Sequence, residues 1–166
     1  MDTLIIGFSR PKAWFEPFSW LIRLCLWTPY SHVYIRFHSI PYNADMVFQA
    51  SSLQVNFYSL AIFESKEDII QEFTIPITLA TKKAIIEFAM NNVGLPYNVA
   101  GILGFPIVWI ASWFGKKIAN PFNGSGDFCS QIVGQVLTEF LGDKLTLPLN
   151  TLDPKDIFNY LSASNG

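Results

Sequence analysis

Two side chains in this sequence have the types needed for covalent acyl transfer. Cys129 stands in GDFCSQIVGQVL, two residues after Asp127, a helix-cap residue. That places it in the first turn of a helix. There the helix dipole and unpaired backbone N–H groups favour a thiolate and can hold an oxyanion. The Gly-Ser-Gly loop before it leaves room for a substrate. The competing reading is that Cys129 is a small buried hydrophobe, a common fate for cysteine. His32 is the candidate base. It follows a Pro-Tyr-Ser turn and opens a strand whose rigid backbone could aim an imidazole sideways at a thiol.

Such a histidine needs a third group to orient it. Gln49, in a neighbouring strand, is the best candidate, though a neutral amide stabilises an imidazolium less than a carboxylate does. His38 shares the face of His32 but lies about 20 Å further along the strand. It is expected to be a surface histidine at the strand end. Cys25 lies mid-helix in LIRLCLW and is expected to pack in the core. No Cys/His cluster offers four close metal ligands, and no metal or cofactor is expected.

The elements that must position these groups can be read from periodicity. Thr3–Phe8 reads as a buried strand, and Ala13–Trp27 as a helix stopped by Pro29. From Ser31 to His38 the pattern alternates: His32, Tyr34, Arg36 and His38 share one face, and Val33, Ile35 and Phe37 the other. Strands follow at Met46–Ser51, Gln54–Tyr58 and Asp68–Ile75, with a turn around Pro41 and Asn43. Helices are expected at Thr78–Asn92, at Asn98–Phe114 with a kink at Pro106, and from the Asp127 cap to about Leu141. A last one opens at Asp153-Pro154 and runs through Leu161. Loops at Tyr42–Asp45 and Asn120–Ser125 could rim a cleft. Strands first and helices after predict a single α+β domain over residues 1–166.

Composition narrows the partners. Hydrophobic residues make up 51% of the 166 and charged residues 14%, against about 25% charged in ordinary domains. The net charge is −2 with no basic block, so nucleic acid is not an expected partner. Phe88 to Gly115 carries no charge. Asn91, Asn92, Asn98, Pro96 and Pro106 interrupt it, so a buried helix pair or a membrane-touching lobe over 99–114 is expected rather than a span. The start, MDTLIIGFSRPKAW, lacks the features of a secretory signal. Cytoplasmic synthesis is expected, with a virion or the cell envelope as destinations reached by another route.

Several segments resemble the circularly permuted NlpC-type papain-like cysteine peptidases, the YiiX/YaeF-like group. They are GFSRPKAWFEPFSWLIRLCLWTPYSHVYI, MVFQASSLQV, VGLPYNVAGILGF, DFCSQIVGQVL and LNTLDPKDIFNYL, in that order. The histidine precedes the cysteine, as the permuted group requires. The resemblance implies a small antiparallel sheet or half-barrel packed against helices, with Cys129 as nucleophile and His32 as base. It puts Gln49 where the family often has a carboxylate, and Tyr97, Phe128 and Ser31 beside the substrate. Phe128 and Asp127 are inverted relative to the commoner Phe-Asp order. The implied activity is hydrolysis of an amide, a peptidoglycan peptide in a bacterial or phage setting, with a partner protein supplying targeting. Two other functions stay open: lipid acyl transfer like that of lecithin-retinol acyltransferase, and a non-catalytic structural or interaction role in a phage or membrane assembly.

Overall fold

A computed structural model describes residues 2–50, 54–95, 104, 107–111, 113–116, 118 and 129–164. Its centre is an antiparallel five-stranded sheet of order β4-β3-β2-β1-β5. The strands are β1 (Asp2–Pro11), β2 (His32–Ser39), β3 (Ala44–Ala50), β4 (Val55–Ser59) and β5 (Glu67–Ile77). The alternation in the sequence becomes the two faces of this sheet. Leu4, Ile6 and Phe8 of β1, Val33, Ile35 and Phe37 of β2, and Phe48 and Ala50 of β3 form the main core. Helices cover this face: α3 (Leu79–Asn92), α4 (Cys129–Gln135) and α5 (Pro154–Ser164). Burying each Leu, Ile or Phe here contributes about 1.5–3 kcal/mol.

The opposite face is smaller. Tyr34, Val47 and Phe63 form its core, joined by Tyr58, Leu60 and Ile69. Phe63 comes from α2 (Leu60–Lys66), a two-turn helix capped by Ser59, whose hydroxyl accepts from the Ile62 N–H. Periodicity does not predict α2, because Phe63 is its one buried side chain.

Two helices differ from expectation at their ends. The first, α1 (Pro17–Leu26), starts four residues later than the apolar stripe suggests, with Pro17 at its N-terminus. Proline is at home there, since the first-turn N–H groups have no partner in any case. The fourth, α4, passes into a π-helical turn, Val136–Phe140, before Gly142 (φ 74°) ends it. The short helical segment at 107–111 lies within the expected 98–114 helix. No helix among the described residues is long and apolar enough to cross a membrane.

The candidate active site

Local packing first fixes where β2 begins. The Ser31 N–H donates to the Ser9 carbonyl (3.0 Å), and Ser31 Oγ lies 2.6 Å from Ser19 Oγ of α1. Both serines are buried. Ser31, expected beside the substrate, therefore has its hydroxyl engaged with α1 and ties that helix to the start of the strand. The next residue, His32, pairs with Ser9 of β1.

His32 meets Gln49 across the sheet. Its Nε2 lies 2.6 Å from Gln49 Oε1. An amide oxygen only accepts, so Nε2 carries the proton, and the neutral ring keeps its lone pair at Nδ1. Gln49 is buried and His32 half-buried, so the pair is partly shielded from competing water. Burial holds the His32 pKa below its ordinary value, while the charge of Glu67 and the bond to Gln49 push the other way. The burial effect is the larger, so the imidazole rests neutral at pH 7.

Glu67 is the residue that sequence reasoning missed. It opens β5 and accepts a hydrogen bond from Ser9 Oγ (3.0 Å). Burial raises its pKa, and the charge of His32 lowers it. Ser9, Glu67, His32 and Gln49 thus make a polar group on one sheet face. Nothing in FESKED marks Glu67, because its neighbours come from strands far away in the chain.

Cys129 stands at the head of α4, is 6% exposed and packs in the main core. The adjacent Ser130 anchors the helix, its hydroxyl donating to the Leu152 carbonyl (2.6 Å). Asp153, next in the chain, exerts its charge on Tyr30, two residues before His32. The head of α4 and the start of β2 therefore share one end of the sheet. Cys129 is packed with the Val33 face, whereas His32 and Gln49 stand on the Tyr34 face. Tyr97, Phe128 and Asp127 lie outside the described residues.

Cys25, expected in the core, is only partly buried beside a small satellite cluster, whereas His38 stands at the surface end of its strand as expected. Cys25 packs with Leu26, Ile22 and Trp109, and burial raises its thiol pKa. His38 is half exposed and pairs with Asp45 (2.9 Å) at the far end of β2. No group of His, Cys, Asp and Glu among the described residues could hold a metal ion.

An apolar cavity of about 740 Å³ opens beside that far end, lined by Phe37, Ile40, Tyr42, Met46, Leu79 and Met90 among others. Tyr42 belongs to the loop expected to rim a cleft. From His32 to Ile40 the strand spans about 25 Å, so this cavity does not adjoin the His32–Gln49 pair. Comparison with family models, curated proteins and solved structures finds no match to this chain.

Proposed function

We propose that the chain is a cysteine hydrolase of the permuted NlpC-type, papain-like kind, cleaving an amide such as a peptidoglycan peptide bond. The observation that carries this reading is the 2.6 Å bond from His32 Nε2 to Gln49 Oε1. It fixes the tautomer that leaves Nδ1 as a base, in a buried setting that keeps the ring neutral. Cys129 packs on the opposite face of the sheet from the His32–Gln49 pair, so the reaction requires the head of α4 and the start of β2, which share one end of the sheet, to bring Cys129 Sγ within reach of Nδ1, which would then take its proton. The thiolate would then attack the carbonyl carbon, and the carbon–nitrogen bond would break as the leaving amine takes the proton from His32. Water, deprotonated by His32, would hydrolyse the thioester and restore the thiol. Gln49 orients the ring throughout.

The test is the pH dependence of iodoacetamide labelling at Cys129 in Cys25→Ser protein, with and without His32→Ala. The expected result is an apparent thiol pKa below the ordinary value of about 8.5, which rises when His32 is removed. An ordinary or raised pKa, unmoved by His32→Ala, would overturn the hydrolase reading in favour of a non-catalytic binding role.

A further inference from the structure

The chain has five tryptophans, at 14, 20, 27, 109 and 113. All of them fall on α1, its flanks and the helical segment at 107–111 with the residues after it. Trp109 is the buried one, packing against Leu26 and Ile22 of α1, so the two segments form one unit. The other four face outward, with Trp14 88% exposed, Trp20 60%, Trp27 81% and Trp113 61%. On α1, Trp20, Leu24 and Trp27 recur at helical spacing along one exposed stripe. On the second segment Ile110 and Phe114 are likewise exposed apolar side chains.

Trp27 shows that this exposure is not incidental to folding. It holds the left-handed C-cap of α1 (φ 55°), a position where glycine is usual and a bulky side chain is disfavoured. The indole there is solvent-facing, so it contributes little packing in return.

Charge completes the pattern. Among the described residues of 12–27 and 107–118, Lys12, Arg23 and Lys116 stand against one acid, Glu16, while the whole chain has a net charge of −2. The Arg23 guanidinium lies 5.3 Å from the Trp20 ring. Tryptophan beside Lys and Arg suits the boundary of a bilayer, where an amphipathic ring meets headgroups. We propose that the face formed by α1 with the described residues 107–111 and 113–116 docks on a membrane surface bearing anionic lipid. The inference is independent of the hydrolase reading.

The test uses the full chain and vesicles of phosphatidylcholine containing roughly one quarter phosphatidylserine, against vesicles of phosphatidylcholine alone. Because four of the five tryptophans are exposed on the proposed face and the fifth lies beneath it, intrinsic emission reports its burial. The expected result is co-flotation with the mixed vesicles, a blue shift of emission, and loss of both in high salt. Trp27→Gly should bind roughly tenfold more weakly while unfolding at no lower temperature, since glycine suits the cap. Lys116→Glu should weaken binding to the mixed vesicles only.

Failure to float with either vesicle overturns the proposal, as does unchanged binding by Trp27→Gly. Equal, salt-insensitive binding to both vesicles overturns the anionic assignment. A blue shift without lipid that rises with protein concentration, together with a dimer on sedimentation, assigns the face to a second copy of the chain instead.

Discussion

At the scale of single residues, burial decides how His32 titrates, because Gln49 is neutral and brings no charge to oppose it. Burial depresses the His32 pKa, and the opposing pull of Glu67 and Gln49 is the smaller influence. A histidine whose folded pKa lies below its unfolded value of about 6.5 contributes stability that is full above that value. The contribution is lost as pH falls through the folded pKa. Glu67 has the opposite sign: its folded pKa is raised above about 4.5. Its contribution is full below that value and disappears as pH rises through the folded pKa. Gln49→Glu would place a carboxylate against Nε2 and raise the His32 pKa. Two consequences are expected. The imidazole chemical shifts should titrate at higher pH, and the loss of stability between pH 7 and pH 5, read from denaturant midpoints, should shrink. An unmoved titration would mean that the Nε2–Oε1 bond does not persist in solution.

At the scale of elements, β1 and β2 are locked together by one close fit. Tyr34 is fully buried, and its hydroxyl donates to Glu72 Oε1 (2.8 Å). Its ring lies over Gly7, its partner in the register, and a Cβ on Gly7 would clash with the phenol end of that ring. Arg36, two residues on, holds Asp45 (2.8 Å) and Glu72 (2.6 Å) and fastens β3 and β5 to the same strand. Gly7→Ala is therefore expected to cost about 1–3 kcal/mol, the usual scale of overpacking. Tyr34→Leu in the same protein should recover part of that loss, because the two changes share one volume. Additive losses in a denaturant titration of the four proteins would show that the cost lies elsewhere.

The same elements show what the sequence could and could not reveal. Alternation from His32 to His38 was enough to place the two faces of β2, and cap chemistry at Asp153-Pro154 was enough to open α5. Both signals are local. Gln49 could be paired with His32 because a hairpin joins their strands. The Glu67 carboxylate could not, since β5 pairs with β1 from the far side of the β2–β4 meander in the chain. The helix α2 was hidden for another reason: one buried phenylalanine makes no stripe.

At the scale of the whole molecule, the two hydrophobic clusters are very unequal. The main core joins all five strands to three helices. The cluster that holds α1 to the 107–111 segment has two buried members, Leu26 and Trp109. Polar ties add to it: Ser19 to Ser31, and Lys155 Nζ to the Leu26 carbonyl (2.9 Å), a cation at the C-terminal end of α1. Local opening costs least where few apolar contacts are lost. The amides of α1 should therefore exchange with solvent well before those of β1 and β2, which lie in the middle of the sheet. Hydrogen-exchange mass spectrometry checks this, since peptides spanning 17–26 and 2–11 separate the two regions. If α1 exchanges only at the rate of global unfolding, it is part of the cooperative core, and its exposed aromatics sit on a rigid platform. If it exchanges early, as expected, α1 can adjust its tilt while the His32–Gln49 pair stays fixed on the sheet. Anionic vesicles should then slow exchange in α1 and leave that of β1 and β2 unchanged, because docking would bury one face of the helix without touching the strands.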